Sequence, residues 1–309
     1  KMNKDLYINS PLIESLRMGQ IVNSRVWLKM DFLQPSGSFK LRGISHACKK
    51  YIDEGAKEFI SSSGGNAGMA VAYSGRLLNK PVTVVVPKTT KKIAVNLIQR
   101  EGANVIVHGN NWNDAHDHAK SMITNQNKYI HPFDDPYLWE GYAEIINEIL
   151  AEDIVPDAIV LSVGGGGLLC GIAEGLKKNN LEQTSILAIE TEGANSLHNA
   201  YTQNKYVSID SIKSIATSLG TKKVARQAYE LSKEKNIFCK LVSDKDVIKS
   251  VDLFLNDHRA LVEPACGASL APIYNKSSFF NDKKNIVVII CGGVGITPEQ
   301  LNLWKKEYL

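Results

Sequence analysis

The chain has 309 residues, of which 44% are hydrophobic and 22% are charged, and this composition excludes a fibrous, disordered or disulfide-stapled protein. The 36 basic and 32 acidic residues leave a formal charge of +4, which argues against nucleic acid or an anionic membrane as the main partner. No apolar run approaches the roughly 20 residues of a membrane-spanning helix, and five cysteines without a CxxC pair fit a reducing cytosol.

Short β-rich runs alternate with segments of helical length and spacing, which predicts βαβ units and a parallel sheet. Strands are predicted at Val26–Met30, Glu58–Ser63, Val82–Pro87, Asn104–Gly109, Ala158–Gly164, Ser185–Thr191 and Asn285–Cys291. Helices are predicted at Asn66–Leu78, Lys91–Arg100, Asn113–Thr124, Leu138–Ala151, Gly167–Lys178 and Val224–Lys235. A last helix should begin at Pro298, where Thr297 and Gln300 form a capping-box signal. Several strands are apolar throughout, so we expect a doubly wound α/β protein with both sheet faces covered.

Two proline-containing stretches interrupt the α/β rhythm, QPSG at Gln34–Gly37 and PFDDP at Pro132–Pro136. If the chain passes from one domain to the other at the first stretch and returns at the second, the segment between them is a smaller domain inserted into a larger one. We therefore expect a large domain of residues 1–33 and 138–309 and a small inserted domain of residues 34–137.

Three glycine-rich turns each follow a predicted strand, and a strand–turn–helix junction presents free backbone N–H groups to an anion. The turns lie at Ser61–Gly68, Ser162–Gly171 and Cys291–Gly295. The second turn contains the consecutive glycines Gly164, Gly165, Gly166 and Gly167. With no Cβ at these positions, the backbone can wrap closely around a phosphate, whereas a single glycine turn is explained as well by a tight unliganded loop.

A nucleotide site is the competing interpretation of the second turn. Its glycines depart from GxGxxG spacing, and the sequence has no P-loop motif. Glu190, however, ends a predicted strand after the glycines, at about the separation of the acidic residue that binds a dinucleotide ribose. A nucleotide-binding dehydrogenase therefore stays open as an alternative.

The segment PSGSFKLRG places Lys40 beside Phe39 at the start of a predicted helix. Considered alone, Lys40 is an exposed helix residue. Its chemical alternative is a Schiff-base lysine held beside an aromatic ring and a phosphate site.

Six segments together carry a family resemblance: PSGSFKLRG, SSGGNAGMA, SVGGGGLLCG, TEGANS, LVEPACGAS and VVIICGGVGI. From about Ser10 to Leu309 the chain resembles the fold-type II pyridoxal phosphate (PLP) enzymes, and most closely the catabolic L-serine/L-threonine dehydratases. The resemblance implies the tryptophan-synthase-β-like fold of two doubly wound three-layer α/β domains. It also implies an ammonia-lyase that converts L-serine to pyruvate and L-threonine to 2-oxobutyrate, and a cytoplasmic homodimer.

The resemblance also implies roles for the lysine segment and the first glycine turn. Lys40 would form the Schiff base with PLP and, once released, take the substrate Cα proton. Phe39 would pack on one face of the cofactor ring, and Asn66 would donate to the ring 3-hydroxyl oxygen. The substrate carboxylate would bind at the start of the following helix, on Ser63, Gly64, Asn66 and Ala67.

On the same basis, Gly164–Gly167 would hold the cofactor phosphate through backbone N–H groups. Ser218 and Leu219 would line the cofactor, with Ser218 opposite Phe39. Cys291 would be the partner of the ring nitrogen. A thiol is a weak donor, so the ring nitrogen would stay largely unprotonated, which suits elimination; a buried apolar cysteine at a strand end is the structural alternative.

A monovalent cation site, with potassium as the expected ion, is implied as well. Its ligands would be the Glu190 carboxylate, the Ser196 hydroxyl, and the main-chain carbonyls of Gly164, Ala194, Leu219 and Thr221. The alternative for Glu190 is a strand-end carboxylate that caps a helix or forms a surface ion pair.

Serine racemase, another fold-type II enzyme and a PLP-binding pseudoenzyme remain as alternatives. Racemases carry a second base in the loop after the asparagine and a serine at the ring nitrogen, where this sequence has Ala67 and Cys291. Biosynthetic deaminases append a regulatory domain, for which we expect no room. Gly64 and Ser218 stand where alanines are expected, which leaves the serine-to-threonine preference open.

His116 and His118 in NDAHDHAK suggest a metal pair, but residues two apart on a helix point to different faces. We expect both to be solvated surface residues.

Overall fold

A computed structural model describes residues 5–309. The strands are β1 (Leu12–Glu14), β2 (Arg25–Lys29), β3 (Glu58–Ser61), β4 (Val82–Val86), β5 (Asn104–Val107), β6 (Asn127–Tyr129), β7 (Ala158–Ser162), β8 (Ser185–Thr191), β9 (Ile237–Val242) and β10 (Asn285–Ile289). The helices are α1 (Leu16–Val22), α2 (Lys40–Asp53), α3 (Asn66–Leu77), α4 (Lys92–Arg100), α5 (Trp112–Ser121), α6 (Pro136–Leu150), α7 (Gly167–Lys178), α8 (Ser196–Thr202), α9 (Arg226–Leu231), α10 (Asp244–His258), α11 (Pro264–Tyr274) and α12 (Pro298–Tyr308). None of the described helices is long and apolar enough to cross a membrane.

The chain divides into two compact units. Unit 1 comprises Gln34–Gly141 with the described residues up to Ile8, and unit 2 comprises Asn9–Leu33 and Tyr142–Leu309. Each unit contains one sheet of mostly parallel strands with helices in the connections, so the expectation of an α/β fold is confirmed.

The boundaries of the units differ from the expected domains at two places. The segment before Asn9 joins unit 1 because Ile8 is paired through both backbone groups: its N–H donates to Gln34 Oε1 at 2.9 Å, and its carbonyl accepts from Gln34 Nε2 at 2.7 Å. The second crossing lies after Gly141, because a Cβ there would lie 2.7 Å from the Cα of Gly43 in α2. The first turns of α6 therefore belong to unit 1.

The sheet of unit 2 has the strand order β1-β2-β10-β7-β8-β9. All neighbouring strands are parallel except β1, which pairs antiparallel with β2. Every residue of β7 and β8 is buried, as their apolar runs at residues 158–161 and 186–189 predict for strands covered on both faces. The antiparallel edge strand β1 is a departure from the expected all-parallel sheet.

The sheet of unit 1 has the order β5-β4-β3-β6, and all of its strands are parallel. Helix α5 packs on one face through Ala115 and Ala119, which contact Ile60 of β3 and Val85 of β4. Small residues on this helix allow a close approach to the β-branched strand residues.

The predicted elements are present; β8 has the predicted bounds, and the other predicted strands end one or two residues earlier than expected. The last helix begins as predicted, with Pro298 in its first turn and the Thr297 hydroxyl accepting the N–H of Gln300 at 3.2 Å. The reciprocal bond of a full capping box is not found among the described residues of this helix. The strands β1, β6 and β9 and the helices α1, α8, α10 and α11 were not predicted.

Candidate active site

Three adjacent parallel strands of unit 2 place the predicted cofactor residues at one sheet edge. In the strand order β10-β7-β8, the carboxyl end of β10 leads into Cys291, that of β7 leads into the glycine loop Gly164–Gly167, and Glu190 is the second-last residue of β8. This edge of an open parallel sheet is where α/β proteins bind ligands. Residues that lie far apart in the sequence are therefore close together at one end of the unit 2 sheet.

The glycine loop is shaped by close neighbours and by one left-handed residue. Gly166 has φ +89°, and a Cβ there would overlap the Cβ of Ala228. A Cβ at Gly164 would lie 3.1 Å from the Ser218 carbonyl oxygen. Glycine is therefore required at Gly166, because both its conformation and its packing exclude a side chain.

The donors of this loop are not used by the backbone. Among the described backbone hydrogen bonds, none has the N–H of Gly164, Gly165 or Gly166 as donor. Helix α7 starts at Gly167, so its first N–H groups lack intrahelical acceptors as well. A phosphate is the ligand that such a helix-opening loop binds best.

Cys291 lies in a buried, neutral environment. Its side chain is 3% exposed, and its sulfur lies 3.6 Å from Ser162 Oγ and 3.5 Å from Cys266 Sγ. Cys266 donates to the Gly292 carbonyl at 3.1 Å, and burial is the main reason that the pKa of its thiol is raised well above the usual value. The groups within 4 Å of the Cys291 sulfur in these contacts are a hydroxyl and a thiol, which suit an uncharged partner.

Ser218 and Leu219 lie against the loop, because the Cβ position of Gly164 is 3.1 Å from the Leu219 Cα. The Ser218 hydroxyl donates to Glu263 Oε1 at 3.1 Å. An alanine at this position would remove that donor, so the departure from the expected alanine has a local structural use.

Glu190 is buried and caps a helix. Its two carboxylate oxygens accept the N–H groups of Leu197 at 2.8 Å and His198 at 2.6 Å, at the start of α8. Burial raises the pKa of Glu190 to about 8, and these two hydrogen bonds partly oppose the rise. This geometry agrees with the helix-capping alternative.

The other expected cation ligands have mixed environments. Ser196 Oγ is buried and has no hydrogen-bond partner among the described groups. The Leu219 carbonyl accepts the N–H of Thr221 at 2.9 Å, and the backbone of Ala194 pairs with Thr191. In the described part of the chain, no three His, Cys, Asp or Glu side chains form a metal-binding group, so a cation here would depend on carbonyl oxygens.

Lys40 begins α2 in unit 1, as its sequence context predicts. The preceding turn contains Gly37 with φ +82°, which favours glycine. The Lys40 amine donates a hydrogen bond to the Pro132 carbonyl and lies 5.2 Å from the centroid of the Phe39 ring. The hydroxyl oxygens of Ser36 and Ser38 are buried with no partner among the described residues.

The turn from Ser63 to Ala67 follows β3 and opens α3. Ser63 Oγ accepts the N–H of Gly65 at 3.3 Å, and a Cβ at Gly68 would overlap the Ser63 carbonyl oxygen. A Cβ at Gly64 would lie 2.6 Å from Thr90 Cγ2. The turn is therefore tightly packed, and Asn66 is the first residue of the helix that it opens.

A polar and aromatic cluster beside these elements was missed by the sequence analysis. The Tyr129 hydroxyl lies 2.7 Å from Ser62 Oγ and 2.8 Å from His116 Nδ1. The expectation that His116 is a solvated surface residue is wrong, because its ring also stacks on Trp112 at 4.6 Å. Strand β6, which brings Tyr129 next to β3, is short and polar and gave no strand signal.

A family model described as pyridoxal-phosphate dependent enzyme matches residues 4–292. The chain belongs to this family. As the cofactor of the chain, the match favours PLP over a dinucleotide.

Individual members of the family are similar over nearly the whole chain. The chain is 42% identical to human "L-serine dehydratase/L-threonine deaminase", over 98% of this chain and 95% of that protein. It is 41% identical to "L-serine dehydratase" of Dictyostelium discoideum, over 98% and 92%. A solved L-serine ammonia-lyase from Rhizomucor miehei superposes with a TM-score of 0.93 at 31% identity, covering 99% of this chain and 100% of that chain.

Proposed function

We propose that this chain is a PLP-dependent ammonia-lyase that converts L-serine to pyruvate and ammonia, and L-threonine to 2-oxobutyrate and ammonia. The observation that carries the proposal is sequence identity of 42% and 41%, over 98% of this chain, to a protein named for both activities and to one named for the first. The N–H groups of the glycine loop that no backbone acceptor uses, and the buried thiol of Cys291, support it, because both suit the cofactor of this family.

The proposal assigns the cofactor to particular residues. Lys40 would hold PLP covalently, Phe39 would pack on its ring with Asn66 at its hydroxyl, and Gly164–Gly167 would bind its phosphate. Cys291 would lie at its ring nitrogen, with Ser218 and Leu219 lining the ring. When bound, PLP supplies an electron sink for the electrons of the substrate Cα–H bond.

The residues of the chain would then bind the substrate and move its proton. The turn containing Ser63, Gly64, Asn66 and Ala67 would hold the carboxylate, since it leads into the N-terminus of α3 and a helix N-terminus attracts an anion. The released Lys40 amine would accept the Cα proton as general base, and loss of the β-hydroxyl follows. No other described side chain is needed as a base in this assignment.

We also propose a potassium ion bound by Glu190, Ser196 and the carbonyls of Gly164, Ala194, Leu219 and Thr221. The buried unpartnered Ser196 hydroxyl supports this site. A cation beside Glu190 would lower the pKa of its carboxyl from about 8 and favour the ionised form. Activity that is the same in potassium and sodium would count against it.

We propose further that the protein is a cytoplasmic homodimer. All five cysteines are buried free thiols, as expected in a reducing compartment. Sedimentation at micromolar concentration tests the dimer, and fractionation of the source cell tests the compartment.

The decisive experiment incubates the PLP-loaded protein with L-serine, D-serine or L-threonine and measures pyruvate, 2-oxobutyrate and D-serine separately. We expect pyruvate from L-serine and 2-oxobutyrate from L-threonine. Lys40→Ala should abolish both products, whereas the control Lys57→Ala, at an exposed lysine, should not. Deamination by Lys40→Ala would refute the role of Lys40, and more D-serine than pyruvate would favour the racemase alternative.

A further inference from the structure

The turn after β6, residues 131–134, is organised by a histidine side chain; we call it the His131 turn. Nδ1 of His131 accepts the N–H of Phe133 at 3.2 Å and the N–H of Asp134 at 2.8 Å. An imidazole nitrogen that accepts two backbone donors carries no proton, so the ring is held in one tautomer. The backbone of the turn therefore depends on this side chain.

The carbonyl in the middle of the His131 turn accepts the hydrogen bond of the Lys40 amine. This carbonyl belongs to Pro132, whose ring also fixes φ near −65°. Lys40 and the turn both lie in unit 1. The position of the amine thus depends on how the turn presents one carbonyl oxygen.

The surroundings keep His131 in the neutral form that this arrangement needs. Its ring contacts the rings of His116, Tyr129 and Phe133. Burial, and then the positive charges of His116, Lys40 and Lys120, lower the pKa of His131 to about 4. Nδ1 therefore stays an acceptor at neutral pH.

A second anchor holds the other end of the turn. The indole Nε1 of Trp139 donates to the Phe133 carbonyl at 2.9 Å. Next to the turn, Asp135 accepts a hydrogen bond of 2.5 Å from the Tyr51 hydroxyl. The chain that follows Pro132 is therefore held by side chains from both α2 and α6.

We propose that His131 is a positioning residue for Lys40: its side chain sets the Pro132 carbonyl as the acceptor that orients the free amine during turnover. The inference rests on the proposed function, in which Lys40 leaves the cofactor, takes the Cα proton and later returns. One N–H fixed on a carbonyl restricts rotation of the amine and so directs its lone pair. Misplacing a reacting group by about 1 Å can cost on the order of 100-fold in rate.

Two substitutions of His131 distinguish the effect of its hydrogen-bond acceptor from the effect of its side-chain size. In His131→Asn, the amide oxygen lies near the place of Nδ1 and can accept N–H groups two and three residues on, as asparagine does in turns. In His131→Leu, a side chain of comparable size has no acceptor. His118→Leu is the matched control, because His118 stacks on His108 instead of contacting the turn.

The first measurement uses the protein without cofactor. Competitive labelling with an amine-specific acylating reagent, followed by mass spectrometry, gives the reactivity of Lys40 relative to the exposed Lys57. We expect His131→Leu to change this ratio by about threefold or more, and His131→Asn and His118→Leu to leave it within about twofold, since orientation of the amine is what changes.

The second measurement uses the PLP-loaded protein and separates kcat from KM for L-serine. His131→Leu should lower kcat about tenfold or more with KM within about threefold, because the free amine matters only after substrate has bound. His131→Asn should recover most of that loss. Borohydride reduction should still fix the cofactor on Lys40 in each variant; attachment to another lysine would refute the proposed function, independently of His131.

The proposal is overturned if His131→Leu retains the Lys40 reactivity and the kcat of the starting protein, or if His131→Asn loses as much as His131→Leu. If His131→Leu does not fold, Trp139→Phe replaces it, because this change removes the donor to the Phe133 carbonyl. A lowered kcat with altered Lys40 labelling in Trp139→Phe then supports the role of the turn, and unchanged values refute it.

Discussion

Gly166 of the glycine loop allows a stability prediction in which the cost of backbone conformation and the cost of steric overlap can be measured separately. Gly166→Ala changes two things at once: it places a Cβ on a residue with φ +89°, and this Cβ overlaps that of Ala228 in α9. A left-handed conformation costs a non-glycine residue about 1–2 kcal/mol, and forced overlap in a packed site costs about 1–3 kcal/mol. The free energy of unfolding should therefore fall by about 2–5 kcal/mol.

Another glycine of the chain isolates the conformational part. Gly102 has φ +82°, and nothing lies within 4 Å of the Cβ that Gly102→Ala would add. This variant should lose only about 1–2 kcal/mol. Combining Gly166→Ala with Ala228→Gly removes the overlap, so the double variant should be more stable than Gly166→Ala alone. The gain should be reduced by about 1 kcal/mol, because Ala228→Gly places a glycine inside a helix.

Urea unfolding of the cofactor-free variants measures these differences, and titration with PLP measures the loop as a phosphate site. We expect the affinity for PLP to fall at least about tenfold in Gly166→Ala, which is about 1.4 kcal/mol, and to stay unchanged in Gly102→Ala. Equal destabilisation by the two alanines, or no recovery in the double variant, would refute the assignment of the cost to Ala228.

Three further predictions concern buried charge and the substrate turn. Because the folded pKa of Glu190, about 8, lies above its usual 4.5, the stability from its neutral carboxyl is complete below about pH 4.5 and is lost as pH rises towards 8. Unfolding measured across this range in a potassium-free buffer should show that slope, and Glu190→Gln should remove it; a slope that persists in Glu190→Gln contradicts the burial argument. Glu148→Leu leaves Lys29, 1% exposed and paired to it at 2.6 Å, as a buried charge, so denaturant unfolding should show a loss of about 3–5 kcal/mol. The double variant Glu148→Leu with Lys29→Met should leave the free energy of unfolding nearly unchanged. A loss of less than about 1 kcal/mol in Glu148→Leu alone would count against a stabilising role of the ion pair. Gly64→Ala should raise KM for L-serine because the new Cβ meets Thr90 Cγ2 at 2.6 Å. Adding Thr90→Ser removes that methyl group but leaves the hydroxyl oxygen at 3.0 Å, so it should restore KM in part; an equal KM in both variants would exclude the methyl group as the cause.

Much of the fold was accessible from local sequence patterns. The strands β7 and β8 contain the uninterrupted apolar runs 158–161 and 186–189, which are typical of strands covered on both faces. The start of α12 was accessible because Thr297 and Pro298 act within one helical turn. Such signals need no knowledge of distant residues.

The elements that were missed lack a local signal. Helix α11 is buried on all sides and contains Pro272, so it shows neither a polar face nor an uninterrupted helical pattern. Strand β6 has three polar or aromatic residues and forms a strand because β3 provides its hydrogen-bonding partner. Its existence depends on the tertiary structure.

The domain boundaries illustrate the same limit. Gln34 begins the main segment of unit 1, and a local signal accompanies it, because proline and glycine follow it in the sequence. The attachment of Ile8 to unit 1 was not accessible, because it depends on hydrogen bonds to Gln34, 26 residues away in the chain. A hydrogen bond between a backbone group and a side chain so far away in the chain leaves no trace in composition or periodicity.

The sequence by itself determined the α/β class, the glycine loop and the lysine at the start of a helix, because each follows from residue types within one strand, turn or helix. Only the tertiary structure decided what surrounds these groups. It gave Glu190 two backbone donors of α8, gave Gly166 a neighbour in Ala228, and set the Pro132 carbonyl at the Lys40 amine. Hydrogen bonds and van der Waals contacts act between atoms that are close in space, and folding brings such atoms together from positions far apart in the chain.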